Sequence, residues 1–437
     1  MENRICVFAK AINSRLTYII EELFHEMHGF DIDLVTDEQT FASLPAYLPK
    51  ICYAEKNIGN SLHIVPAALL FEKDIHLQSI SVETEDQTPY FFRTLKENET
   101  LSFSFDLFAA SFYLLSRYEE YLPHKTDLHG RFLAEESIAF KNGFLEKPII
   151  EIWMQKLIHT INRQFGCDLH SKRQFRYVRT IDVDNIYAYR HKGPIINGIH
   201  LLKDWLKGEK NLARLRWRVI SRQEEDPFFN LEELSNRLLS LDPTGANTHI
   251  FFHCGGYGKR DKKTIVPSLR YGKIRKHLSE KMNVGLHPSY RSAHTQWLFR
   301  LEKKILEWHI GKPVTSCRSH YLLFQIPEDY RKLEQTGITD DYSMGYSNNP
   351  GYRAGTSLPF HFYDLEQERA SNLLIHPLAV MDKTLHSNLR LTPHEAIAYI
   401  EQMKNAAEDV KGEFVVLFHN ENQCDRFGWE GWQDVMR

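Results

Sequence analysis

The sequence predicts an α/β chain in which a smaller mixed α/β domain, residues 1–171, precedes a C-terminal β/α barrel of about seven parallel strands, residues 172–437. Three observations carry that prediction. The chain has 437 residues, more than one ordinary hydrophobic core organises. From about residue 173 short apolar runs alternate with helical stretches about seven times, the pattern of parallel βαβ units. Nearly every apolar run in that half ends in histidine, aspartate or arginine.

Taken in order, "RICVFA", "DIDLVT" and "SLHIV" read as strands of the first domain. "NSRLTYIIEELFHEM" and "DLFAASFYLLSRYEEYL" read as helices, the second with Phe108, Phe112, Leu115 and Tyr118 at helical spacing. The helix "PIIEIWMQKLIHTINRQF" ends near Gly166, and the polar, basic "DLHSKRQ" marks the boundary. Beyond it, "FRYVRTI", "THIFFHC", "KMNVGLH", "PVTSCRSH", "GITDDYS", "NLLIHP" and "EFVVLFHNE" read as buried strands. "LEELSNRLLSL", "RSAHTQWLFRLEKKILEWH" and "TPHEAIAYIEQMKNAAEDV" are the intervening helices, and Leu298, Leu301, Ile305 and Trp308 mark an apolar stripe on the second.

Composition excludes several classes. A hydrophobic share of 42% with 25% charged residues describes a globular protein, not a disordered or fibrous one. A net charge of −3 supplies no overall field for nucleic acid or an anionic membrane. The six cysteines are scattered without a C-x-x-C pair, which argues against a zinc ribbon or a disulfide framework. No apolar run approaches the ~18 residues of a membrane span, and the N-terminus lacks a signal-peptide core, so a reduced, cytoplasmic setting is expected. The tract "YGKRDKKTIVPSLRYGKIRK" is basic and reads as a solvated loop.

The polar strand ends are Asp182 and Asp184, His253, His287, Arg318 with His320, Asp340 and Asp341, His376, and His419 with Glu421. On parallel strands all of them reach one face, the active-site face of a β/α barrel. Histidine with carboxylate suits zinc or another first-row divalent cation, and three protein ligands leave a position open for water. A spare carboxylate then serves as base and a spare histidine as acid. The chain holds 22 histidines, most of them necessarily structural. Placement favours a functional role for His287 and His376, while His253, His320 and His419 taken singly read as structural. The pair in "TIDVDN" also reads as a polar turn.

The ordered motifs "RTIDVDNIYAY", "FFHCGGYGKRDKK", "VGLHPSY", "SCRSHYLLF", "GITDDYSMGYSNNPGYRAGTSLPFHFYDL" and "LLIHPLAVMD", with "FAASFYLLSRYEEYLP" and "GFLEKPI" upstream, resemble the polysaccharide deacetylase (NodB-like, carbohydrate esterase) superfamily. The closer resemblance is to its bacterial branch with an additional N-terminal domain of unknown function, over about the whole chain. The resemblance implies that Asp182 is the catalytic base and Asp184 and His287 are metal ligands. Arg291 stands where the family has a second histidine, and His320 stands where it has a proline, so His320 is inferred to complete the triad. Arg318 and Tyr321 match the third motif. Asp340 or Asp341 is expected to orient Arg318 or a base, with Asp341 the choice, and His376 to protonate the leaving group. Tyr290 is expected at the oxyanion, and Tyr342 and Arg353 along a sugar site. The implied activity is hydrolysis of an N- or O-linked acetyl group on a carbohydrate, assisted by zinc, nickel or cobalt. Two alternatives stay open: a catalytically impaired carbohydrate-binding protein, and a phosphohydrolase of the haloacid dehalogenase type, which also uses D-x-D after a strand.

Overall fold

The computed structural model describes residues 3–94, 103–228, 231–255, 260–261 and 269–436. Half of the basic tract read as a solvated loop lies outside them, and its second part is not a loop: from Leu269 it forms the helix Leu269–Ser279, with Arg275 buried. In the N-terminal part, β1 (Arg4–Ala9), β2 (Asp31–Val35), β3 (Lys50–Tyr53) and β4 (Leu62–Ile64) form a parallel sheet in the order β2-β1-β3-β4. A small hairpin, β5 (Glu83–Glu85) with β6 (Thr88–Tyr90), follows. The helix Leu107–Leu115 starts at Asp106, whose carboxylate accepts from the backbone N–H of Phe108 and Ala109, and it is buried on every side. The helix Ile149–Phe165 ends on Gly166, whose φ of 62° is the left-handed cap that glycine adopts most cheaply.

The second sheet contains β7 (Arg176–Val183), β8 (Thr248–His253), β9 (Asn283–His287), β10 (Ser316–Cys317), β11 (Asp340–Asp341), β12 (Phe360–Asp364), β13 (Arg369–Ile375), β14 (Leu378–Met381) and β15 (Glu413–His419). Its order is β12-β13-β11-β10-β9-β8-β7-β15-β14. Among the described residues it therefore has nine strands where about seven were expected. It is mixed, because β12 runs antiparallel to β13. The sheet also curls. β13 lies near one flank and β14 at the other, yet only His376 and Pro377 separate them, a link of roughly 10 Å at most. One bent run of chain thus pairs with β11 before the Pro377 kink and with β15 after it.

Alternation along the strands divides the core. Val178, Phe251, Val415 and Leu417 join Leu322, Tyr342, Leu378 and Met381 in a cluster inside the curl. The residues between them, Ile181, Ile250, Val416 and Phe418, join the larger core outside it. Asp182, His253 and His419 share the inner parity, at the last turn of their strands.

The large core is continuous between the N-terminal part and the curled sheet. Polar contacts run along the same seam. Glu151 accepts from Thr356, Ser357 and Leu358, and Tyr18 donates to the His361 carbonyl at 2.7 Å. The helix Gln296–Ile310 corrects the expected stripe: it buries Phe299, Glu302, Leu306, His309 and Ile310, and leaves Leu301 and Trp308 exposed. The buried carboxylate of Glu302 explains the rotation, since it accepts from the Ser289 N–H at 2.8 Å and Oγ at 2.6 Å. All six cysteines are free. Among the described residues no helix is long and apolar enough to cross a membrane.

Candidate metal centre and active site

Strand pairing brings the candidate residues to one end of the sheet. Asp182 lies in register with His419 on one neighbour and Phe251 on the other, and His253 lies opposite His287. Arg318 leaves β10 with its N–H bonded to the Leu286 carbonyl at 2.9 Å. Asp184, His287 and His320, all buried, place one potential ligand atom each within 4.8 Å of the others. The Nε2 atoms of His287 and His320 lie 3.2 and 3.7 Å from Asp184 Oδ1.

The imidazole of His287 is set for a cation. Its Nδ1–H donates to the Arg318 carbonyl at 2.6 Å, which directs the Nε2 lone pair at the cluster, and that buried nitrogen has no hydrogen-bond partner among the described residues. An orphaned ring nitrogen beside carboxylate oxygen fits a first-row divalent cation. Burial alone would lower the pKa of His320, but Asp184 and Asp261 outweigh it and raise the value to about 9. A cation held by these residues would take the place of that proton. The neighbouring His253 is held down to about 3, first by burial and then by His320 and His287, and neither ring nitrogen has a hydrogen-bond partner among the described residues. Close approach fixes its loop: a Cβ on Gly255 would stand 2.3 Å from Ser289 Cβ and 3.0 Å from the His253 ring.

Asp182 sits beside the triad, 3.8 Å from His287 Nε2 and 3.9 Å from Arg318 Nη1. Arg318 is fully buried, over the Phe251 ring, and donates to Thr180 Oγ1 at 3.0 Å. Burial lowers its pKa while Asp182 and Asp341 oppose that shift. The carboxylate of Asp341 is spent on Ser343, accepting from its N–H at 2.9 Å and Oγ at 2.7 Å, and Ser343 Oγ in turn accepts from the Ser319 N–H. Asp341 thus holds the turn between Arg318 and His320, and burial raises its pKa to about 6.

A cavity of about 340 Å³ opens on Asp182, Asp184, His287, His320 and Tyr321, and His419 lines it as well. His419 Nδ1 bonds to Asp382 Oδ1 at 2.8 Å, leaving Nε2 toward the cavity. Asp382 also accepts from the His419 N–H and from Asn422, and although burial raises its pKa, His419 and then Lys383 hold it below the ordinary carboxylate range.

His376 is not brought to this cavity. Its Nδ1 bonds to Glu413 at 2.9 Å and its Nε2 to Asp340 at 3.2 Å, and its ring stacks on Tyr342 at 4.2 Å. Glu413 opens β15 at the opposite end from His419, so the Pro377 kink has carried His376 toward the base of the curl. Tyr342 is likewise internal, stacked on His376 and bonded to His249. Arg353 is buried against Glu120 at 2.6 Å and ties the two parts of the chain together instead of lining a sugar site. Arg291 is exposed. Tyr290 lies at the rim, its ring 5.6 Å from that of Tyr321 and its N–H 2.5 Å from Asp261. Sequence reading did not anticipate Asp261, which lies 3.5 Å from His320 Nδ1, Asp382 behind His419, or His129 and Arg131, which line the same cavity from the N-terminal part. For His419 a signal existed: "EFVVLFH" is a wholly buried strand ending in histidine.

A family model described as a family of unknown function (DUF7033) matches residues 5–166, less than half of the chain. No curated protein matches. Among solved structures, the chain is similar to one assigned as a polysaccharide deacetylase from Mycobacterium smegmatis, at 15% identity and a TM-score of 0.39, covering 60% of this chain and 82% of that one. It is also similar to the PuuE allantoinase, at 10% identity and a TM-score of 0.37, covering 61% of this chain and 82% of that one. Both scores are too low to assign an activity to this chain.

Proposed function

We propose that this protein is a metal-dependent hydrolase that removes an acetyl or related acyl group, N- or O-linked, from a carbohydrate. The observation that carries the reading is the buried convergence of Asp184, His287 and His320 beside Asp182, with the His287 tautomer fixed from behind. Zinc is the preferred ion, with nickel or cobalt as substitutes. When bound, the cation supplies Lewis-acid polarisation of the acyl group and a lowered pKa for water. Asp182, held by Arg318, accepts the proton of the attacking water. His419 gives a proton through Nε2 to the departing amine or alkoxide, and Asp382 holds its other nitrogen and stabilises the imidazolium, the role that sequence reading gave to His376. Tyr321 and Tyr290 offer ring faces to a sugar at the rim. Residues 1–171 and 172–437 are taken as the two domains, the first supplying His129 and Arg131 to the wall of the cavity.

The exposed Arg291 favours the binding-protein alternative, because the ligand that the resemblance places there is missing. His320 answers it by occupying the third position of the cluster. The phosphohydrolase alternative leaves the three clustered histidines without a role. Elemental analysis of wild type, His287→Ala and His320→Ala tests the reading, followed by acetate release from a panel of acetylated sugars. Near-stoichiometric divalent metal in the wild type, lost in both variants, is the expected result. Wild-type protein that takes up no metal on reconstitution would overturn it.

A further inference from the structure

The segment between β7 and β8 contains a helical hairpin, Pro194–Leu206 and Lys210–Ile220, whose first helix is inverted. At 100° per residue, Ile195, Ile199, Leu202 and Leu206 fall within about 60° of one another. All four are exposed, Ile195 to 77%. The two buried residues of that helix, Asn197 and Asp204, lie on the opposite side and are polar. Asn197 donates to the Tyr189 carbonyl at 2.9 Å, and Asp204 pairs with Arg216 of the second helix at 2.7 Å. An ordinary surface helix does the reverse, burying its apolar stripe and exposing its polar one. Trp205 and Trp217 are also more than half exposed, which extends the apolar face across both helices.

The flanking charge is one-sided. Residues 190–222 contain nine lysines and arginines against two acids, in a chain whose net charge is −3. Lys203, Lys207, Lys210, Arg214, Arg218 and Arg222 are exposed around the apolar face. A second copy of the chain seated there would set basic residues against basic residues. An apolar stripe bearing tryptophan and rimmed by lysine and arginine matches an anionic lipid surface, where the stripe enters the acyl boundary and the cations meet the headgroups. The hairpin also lines a cavity of about 650 Å³ near the candidate metal site: Ile196, His200 and Arg216 share it with Tyr321 and with Asp261, which lies 3.5 Å from His320 Nδ1.

We propose that this hairpin docks the protein peripherally on an anionic membrane surface, with the mouth of the site beside the lipid. The inference does not depend on the hydrolase reading, and its test requires no activity. Full-length protein is sedimented with vesicles of phosphatidylcholine alone and of phosphatidylcholine with about one quarter phosphatidylglycerol, at about 0.05 M and about 0.5 M salt. Binding to the anionic vesicles about tenfold above the neutral ones, weakened by salt, is expected. Two variants at exposed positions, I199S/L202S/W205S and K203E/K207E/R214E, should each abolish it with the circular dichroism spectrum unchanged. W297S/W308S, which removes exposed tryptophans on another helix, should bind as wild type. Absence of anionic-vesicle binding by the wild type overturns the proposal. So does binding that survives both hairpin variants, or a wild-type dimer that dissociates in I199S/L202S/W205S while vesicles are ignored.

Discussion

Asp182 and His419 lie in register on adjacent strands, and their different surroundings suit them to the two proposed roles of base and acid. Asp182 lies 3.9 Å from Arg318 and 3.8 Å from His287 and is not one of the three clustered ligands, so Asp182→Asn should keep the metal and lose about 10²–10⁴-fold in kcat. Acetate release by metal-loaded variant and wild type, with metal content measured on the same samples, checks this; a variant at wild-type rate would remove Asp182 from the base role. His419→Ala and Asp382→Asn should both lower kcat, because the second leaves the imidazole without the acceptor that fixes its tautomer. His376→Gln should behave differently. It leaves Glu413 and Asp340 without their shared partner, costing about 3 kcal/mol of stability, while the rate per folded molecule stays near wild type. Chemical denaturation beside kinetics separates the two cases. Asp182 and His287 could be singled out in the sequence because each stands at or near the end of a buried strand. His376 misled because it too ends such a run; what the run does not disclose is that proline after it redirects the chain into another strand.

At the scale of elements, short strands explain most of what the sequence concealed. β10 and β11 have two residues each, below any period that a pattern can show, and β14 hides behind Pro377 as a continuation of β13. Glycine has a specific use in β9: a Cβ on Gly285 would stand 2.5 Å from the Phe251 ring and from Ser316 Oγ. Gly285→Ala should destabilise the fold by about 1–3 kcal/mol, read as a lowered denaturation midpoint with an unchanged slope. A contact no pattern could reveal comes from the N-terminal part. Tyr321 and Leu322, directly after His320, adopt φ of 63° and 51°, left-handed conformations that are costly for residues with side chains. Arg131, fixed to Asp127 at 2.7 Å, donates to the Tyr321 carbonyl and so holds this turn. Arg131→Ala should therefore weaken metal binding by about tenfold, measured by competition with a chelator. Unchanged affinity would reduce the Asp127–Phe132 loop to a passive wall.

At the scale of the molecule, the boundary at residue 171 divides the chain by sheet but not by core. The alternation of strands and helices announced two sheets, yet nothing in it could announce that Glu120 would meet Arg353, 233 positions away. Glu120 is buried between Arg117 and Arg353, accepting from Arg117 Nε at 2.7 Å and from Arg353 at 2.6 and 2.9 Å. Burial raises its pKa, but the two guanidinium groups more than reverse this and bring it down from 4.5 to about 2. A group whose pKa is depressed on folding contributes stability that is complete above its unfolded value and lost as pH falls through the folded one. The carboxylate therefore stabilises the seam at neutral pH and ceases to do so between about pH 4.5 and pH 2, where folding must hold off a proton that the unfolded chain binds. For one such group the dependence reaches about 1.4 kcal/mol per pH unit within that window. Glu120→Gln removes the titration and also leaves two buried cations unbalanced, so it should cost about 3–5 kcal/mol at pH 7. Its stability should then fall less steeply than wild type between pH 4.5 and 2. Denaturant titrations of both proteins across that range measure the two slopes. Parallel curves would show that the ion pairs at Glu120 do not link the stability of the seam to pH, and that other buried carboxylates govern its loss in acid.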